Sequence, residues 1–154
     1  MTRILMVCRA NICRSPMAEV VMADLLAQHQ LYDWQVDSAG THALVGAPAY
    51  ERTLDVLARR GHQRLPSLAR QLEWEDLQRF DVLLAMDRHN LGFVLRHQRG
   101  GRAQVGLLME AAVAAGLTDD ANVHDPYPDG DYDYTYERLA QGCAAWLWGQ
   151  LRMG

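Results

Sequence analysis

Four consecutive apolar residues, Ile4-Leu5-Met6-Val7, end abruptly in the run Cys8-Arg9-Ala10-Asn11-Ile12-Cys13-Arg14-Ser15-Pro16. An unbroken apolar stretch of this kind suits a strand buried on both faces. Beyond Pro16, Ala18, Val21, Met22, Leu25 and His29 recur at spacings of three and four, the period of an amphipathic helix. Ser15 is placed to cap that helix, Pro16 suits its first turn, and Glu19 complements its N-terminal half. The chain is thus committed at its start to a strand, a tight polar turn and a helix.

The same alternation continues. Residues 34–38 read as a second strand, ending at the loop signal Ala39-Gly40-Thr41, and residues 48–60 as a helix stopped by Gly61. Residues 80–86 are the clearest later strand. A helix over 88–97 follows, ending at Gly100-Gly101, and residues 104–109 are a candidate fourth strand. The Asp-, Pro-, Gly- and Tyr-rich stretch 124–133 reads as a loop. In the last helix, Tyr136, Ala140, Cys143, Leu147 and Leu151 fall on one face. Alternating strands and helices imply right-handed crossovers and a mainly parallel sheet. The expected fold is a single α/β domain over residues 1–154. It is a three-layer sandwich in which helices flank a four-stranded parallel sheet. Ligands in such sheets bind beyond the carboxyl ends of the strands. Cys8, Ser38 and Asp87 each end a predicted strand, so three segments deliver polar residues to one rim.

Composition narrows the function. The net charge of −4 argues against a nucleic-acid binder, which carries a basic face. No segment approaches the roughly 20 apolar residues of a membrane span. The N-terminus runs straight into a strand without the layout of a signal peptide, so a cytoplasmic location is expected. Three cysteines, Cys8, Cys13 and Cys143, suit reduced thiols better than a disulfide framework. The histidines, among them His29, His62, His89, His97 and His124, are scattered and give no zinc spacing, so no metal or other cofactor is expected.

The turn itself suggests chemistry. Backbone N–H groups of a tight loop over residues 9–14, backed by a helix N-terminus, form an anion nest. Arg14 adds a permanently charged bidentate clamp. Cys8 lies beneath the anion, where the same field favours its thiolate, and a thiolate so placed can attack phosphorus. The Ser15 hydroxyl can stabilise that thiolate, and Asn11 tolerates the left-handed backbone a cradle requires. The turn is expected to be a phosphate-binding loop between strand 1 and helix 1. Taken alone, Cys-x5-Arg is a common spacing, and an isolated strand-end cysteine is usually core filler.

The run Val7-Cys8-x-x-Asn11-Ile12-Cys13-Arg14-Ser15-Pro16-Met17-Ala18-Glu19 resembles the signature loop of low-molecular-weight protein tyrosine phosphatases. The resemblance extends in family order through Ser38-Ala39-Gly40-Thr41, Ala69-Arg70-Gln71, Phe80-Asp81, Ala85-Met86-Asp87 and Asp125-Pro126-Tyr127. It implies a metal-independent phosphotyrosine hydrolase with a cysteinyl-phosphate intermediate. Cys8 is then the nucleophile and Arg14 the phosphoryl clamp. Asp125, held on the stiff Asp-Pro-Tyr-Pro loop, is the general acid and then the base. Ser15 stabilises the thiolate. Asn11 and Ser38 form the pair that shapes the loop, and Asp87 orients Arg14, caps the following helix, or does both. Ile12, Leu44 and Tyr127 are the expected pocket walls. Phosphoarginine phosphatases of similar sequence tend to carry threonine in place of Ile12, so isoleucine favours phosphotyrosine. Cys13 is either a backup thiol for a reversible disulfide with Cys8 or a small buried side chain; Cys143 is expected in the core.

The chain departs from the family pattern at several points. Ala10 stands where glycine is usual, and Arg9 replaces a commonly apolar residue. Arg9 either favours acidic residues near the phosphotyrosine or is simply solvated. Pro128 replaces a second aromatic of animal members. Tyr132, Tyr134 and Tyr136 are either phosphorylation sites or ordinary turn tyrosines. The stretch His42-Ala43-Leu44-Val45-Gly46-x-Pro48-Ala49 looks bacterial, similar to phosphatases that accompany tyrosine kinases of exopolysaccharide export. Such a kinase, other phosphotyrosine proteins, and a monomeric or weakly dimeric state are the expected partners. Two other readings remain: an arsenate reductase on the same scaffold, which needs further relay cysteines, and a non-catalytic phosphoprotein-binding module, which does not need both Cys8 and Asp125.

Overall fold

The structure, a computed structural model, describes residues 1–153. Strand β1 (Arg3–Cys8) is flanked by β2 (Gln35–Gly40) on one side and β3 (Val82–Ala85) on the other, and β4 (Gln104–Leu107) lies beyond β3. All pairings are parallel. The order β2-β1-β3-β4 puts the reversal of winding beside β1, so the crevice at the carboxyl end of β1 is the natural ligand position.

The apolar run of β1 is buried on both faces because each face meets helices. Ile4 and Met6 point into a core shared with α1 (Arg14–Gln28), α2 (Glu51–Arg59), α5 (Glu110–Ala114) and α6 (Tyr132–Met153). Leu5 and Val7 point the other way, onto α3 (Asp76–Arg79) and α4 (Arg88–His97). The strand period of two thus feeds two cores from one segment.

Several boundaries differ from the sequence expectation. Helix α1 begins at Arg14 rather than Pro16, and Ser15 does not cap it; Cys13 holds the N-cap position without a side-chain cap bond. Glu19 is not a surface charge near a helix start but is buried against β2. Strand β2 runs on to Gly40, because Met6 pairs with Ser38 and Cys8 with Gly40. Ser38 therefore lies below the rim instead of ending the strand. Strands β3 and β4 are shorter than expected, and the loop before α6 ends at Asp131, where the helix starts at Tyr132. Helices α3 and α5, four and five residues long, had no readable periodicity. On α6 the buried stripe is centred on Leu139, Cys143, Trp146 and Leu147, while Leu151 is exposed. No helix among the described residues is long and apolar enough to cross a membrane.

Candidate active site

The turn after β1 is held from outside by its carbonyls. The Cys8, Arg9 and Ala10 carbonyls accept from the N–H groups of Thr41, His42 and Leu44, and that of Ile12 accepts from Tyr50. With these carbonyls turned away, the loop has its N–H side left for the cavity, as an anion nest requires. Asn11 adopts φ 59°, which makes the sharp bend. Gly40 is needed here for space: a Cβ on it would stand 2.6 Å from the Arg9 carbonyl oxygen and 3.1 Å from Asn11 Cβ.

Beneath the loop the side chains form a directed chain of hydrogen bonds. Ser67 donates through its N–H and Oγ to Glu19 Oε2, both at 3.0 Å. Ser38 Oγ donates to Glu19 Oε1 at 2.6 Å and accepts from Asn11 Nδ2 at 3.0 Å. Asn11 Nδ2 also donates to Ser15 Oγ at 2.8 Å. Ser15 Oγ, accepting from Asn11, still has its proton to give and lies 2.9 Å from Cys8 Sγ; the Ser15 N–H donates to the same sulfur at 3.4 Å. Asn11 Oδ1 in turn accepts from the Arg70 N–H, and Arg70 is locked by Asp76 and Asp37. Burial pushes the Glu19 carboxyl above its ordinary value, against the opposing pull of the bonds from Ser38 and Ser67.

Arg14 is buried beside the sulfur. Its Nη1 donates to Asp87 Oδ2 and to the Val123 carbonyl, and its Nη2 lies 3.7 Å from Asp125 Oδ2. Burial opposes the guanidinium cation, but Cys8, Asp87 and Asp125 outweigh it and hold the Arg14 pKa above its ordinary value. Asp87 does two jobs: Oδ1 accepts from Asn90 N–H in a reciprocal cap of α4, while Oδ2 holds Arg14. The Val123 N–H donates to the Met86 carbonyl, so the segment leading to Asp125 is fastened to the end of β3.

These elements enclose a cavity of about 280 Å³ lined by Cys8, Arg14, Ile12, Leu44, Asp125 and Tyr127, together with Arg9, Ala10, Cys13 and His42. Asp125 is 46% exposed and accepts from the Tyr127 N–H at 3.1 Å. Tyr127 stands edge-on to Tyr50, 5.0 Å between ring centres, and so presents a fixed aromatic wall. A larger hollow of about 440 Å³ lies at the opposite end of the sheet, around Arg3, Leu31 and Tyr32, and contains none of these groups.

The remaining expected residues fall into place around this arrangement. Cys13 is buried with its Sγ 3.6 Å from Tyr132 Oη, and burial pushes its thiol up. Cys143 lies in the core, its thiol pushed up to about 12 by burial. His124 turns outward and pairs with Asp120 rather than Asp125. Sequence reasoning did not foresee the network beneath the loop: it placed Glu19 only near a helix start, Arg70 only within the run Ala69-Arg70-Gln71, and gave Ser67 no role. Their partnerships span tens of residues and leave no local signal. Among the described residues no group of three or more His, Cys, Asp or Glu side chains is placed to hold a metal ion.

The arrangement can bind a tetrahedral oxyanion over a thiol, under a guanidinium, with a carboxylate at the mouth. The family model "low molecular weight phosphotyrosine protein phosphatase" matches residues 3–153. A relative described as the low molecular weight protein-tyrosine-phosphatase YfkJ of Bacillus subtilis is 37% identical over 147 residues, covering 93% of this chain and 92% of the relative. The mouse low molecular weight phosphotyrosine protein phosphatase is 33% identical over 151 residues, covering 94% and 92%. A crystal structure of such a phosphatase from Vibrio cholerae O395 superposes with a TM-score of 0.90 at 27% identity, covering 100% of this chain and 99% of the other. On these matches, and on the strand-loop-helix geometry just described, the chain belongs to the low molecular weight phosphotyrosine protein phosphatase family.

Proposed function

We propose that this chain hydrolyses phosphotyrosine in proteins through a cysteinyl-phosphate, with no metal. The observation that carries the reading is that Cys8 and Arg14, at the two ends of one loop, and Asp125, far along the chain, line one cavity with an aromatic wall. The Cys8 thiolate attacks phosphorus while the phosphorus–oxygen bond to the phenol breaks. Asp125 gives its proton to the departing oxygen. Asp125 then takes a proton from water, the resulting hydroxide attacks phosphorus, and the sulfur–phosphorus bond breaks to release phosphate and restore the thiolate. Arg14 and the loop N–H groups bear the phosphoryl charge throughout. Ile12 and Tyr127 flank the aryl ring, and Leu44 closes the outer wall.

The other readings fit less well. A thiol relay for arsenate reduction has no third cysteine at hand, because Cys143 is buried in the core and does not line the cavity. A binding module would have no use for Asp125 at the mouth. The three free thiols fit a reducing, cytoplasmic setting. Cys8 and Cys13, which share the cavity, form the pair that oxidation would join. We further assign the chain to one catalytic domain acting as a monomer or weak dimer, with an exopolysaccharide-export tyrosine kinase as a candidate partner.

Turnover of para-nitrophenyl phosphate in the presence of a chelator tests the reading. Hydrolysis that persists without metal and vanishes in Cys8→Ser is expected. Full activity of Cys8→Ser would contradict the mechanism.

A further inference from the structure

The catalytic cavity does not end at its rim. It opens sideways, across Arg9, Arg14, His42 and Asp125, into a second lobe of about 420 Å³ whose own walls are His89, Phe93 and Arg96 of α4. The charge of this lobe is unusual for a chain of net charge −4. Its two carboxylates, Asp87 and Asp125, both face Arg14. Arg9 and Arg96 are exposed and have no carboxylate within ion-pair distance among the described residues. Two unneutralised guanidinium groups therefore flank the opening, with His42 and His89 beside them.

The lobe is also shaped. Helical side chains lean toward the helix N-terminus, so Arg96 lies back along α4 toward the catalytic end. Its path runs over Gly92, where a Cβ would stand 3.3 Å from Arg96 Nη1. Phe93 forms the floor, packed between His42 at 5.2 Å and His97 at 4.5 Å, and Trp74 extends the stack at 5.4 Å from His97. That stack fixes the His42 ring, as does its Nδ1 contact with Thr41 Oγ1 at 3.0 Å. Arg9 lines both lobes, so a group in the second lobe would sit beside a phosphoryl group in the first.

We propose that this lobe is a subsite for an anionic side chain flanking the phosphotyrosine, held by Arg9 and Arg96. The inference rests on the phosphotyrosine reading of the first lobe and names the substrate class more closely: acidic or multiply phosphorylated tyrosine segments. Carboxylate and phosphoryl groups share the recognising chemistry. A phosphoryl group binds better because it offers guanidinium forks more acceptor oxygens and more charge.

Three phosphotyrosyl peptides distinguish the sources, with alanine, glutamate or phosphoserine on both sides of the phosphotyrosine. Affinity for the Cys8→Ser variant and kcat/KM of the unmodified enzyme are measured on each. The expected order is phosphoserine, then glutamate, then alanine, with about threefold gained per exposed cation engaged. The preference shrinks at high salt, since exposed charges are screened. It falls about threefold in Arg96→Gln and returns in Arg96→Lys. Equal affinity for the three peptides, or a preference unchanged by Arg96→Gln, would overturn the subsite. Because affinity is read separately from turnover, the two readings fail separately. Unhydrolysed para-nitrophenyl phosphate counts against the phosphatase, and equal affinities count against the lobe.

Discussion

Asp125 is tied to its loop by the Tyr127 N–H yet remains half open to solvent, with only the rim of Arg14 beside it. In the proposed mechanism a carboxylate in that position serves proton transfer rather than folding. Asp125→Ala is therefore expected to fold normally and to lower kcat on phosphotyrosine by about 10²-fold or more. The loss should be smaller on para-nitrophenyl phosphate, whose leaving group needs less help from an acid. An equal loss on both substrates would argue that Asp125 only shapes the mouth. Glu19 presents the opposite case, a buried carboxylate that receives three donors. Its folded-state pKa is raised by burial, so the folded chain holds this proton more tightly than the unfolded chain. Its contribution to stability is full below the ordinary glutamate value of 4.5 and is lost as pH rises through the raised one. Denaturation followed against pH should show the wild type losing stability relative to Glu19→Gln over that interval. A pH-independent difference would contradict the assignment.

At the scale of elements, the site is a seam between the end of β1 and what packs around it. Gly40 closes β2 against the loop, and the segment 70–72 continues that edge through the Gly40 N–H to Arg70 carbonyl and Leu72 N–H to Gly40 carbonyl bonds. A methyl at position 40 would push on the Arg9 carbonyl. Gly40→Ala should cost about 1–3 kcal/mol of stability and lower kcat/KM, read by denaturant unfolding and initial rates. Unchanged values would mean that the loop yields freely. Asp87 couples two elements, since one oxygen caps α4 and the other holds Arg14. Asp87→Ala should therefore lose about 1 kcal/mol of stability and also weaken inhibition by inorganic phosphate. Much of this was legible from periodicity and punctuation: β1, the presence of α1 after it though not its first residue, and α4 after Asp87. Helices α3 and α5 were not, because four or five residues complete too few turns to show a period. The end of β2 was misread because Ala39-Gly40 looks like a loop, while the parallel register with Val7 and Cys8 keeps both residues in the strand.

For the whole molecule, the question is how residues 8, 14 and 125 come to share a cavity. Cys8 and Arg14 are neighbours by local geometry, and their spacing could be read from the sequence. Asp125 joins them only because Val123 is fastened to Met86 and Arg14, and because Arg138 of α6 holds the carbonyls of Asp120 and Asn122. That placement is a property of the fold, and in the sequence it was visible only through resemblance. The same is true of the Ser67–Glu19–Ser38–Asn11–Ser15 chain. Its members could be named in part, but the direction in which its protons point needed coordinates. At the end of that chain stands Cys8 Sγ, the proposed nucleophile. The most direct measurement is rapid acid quench of Asp125→Ala during turnover of para-nitrophenyl phosphate, followed by peptide mass analysis. One phosphoryl group on the peptide carrying Cys8, present during turnover and absent in the Cys8→Ser variant, is predicted. An unmodified Cys8 in an enzyme that is releasing para-nitrophenol would contradict it.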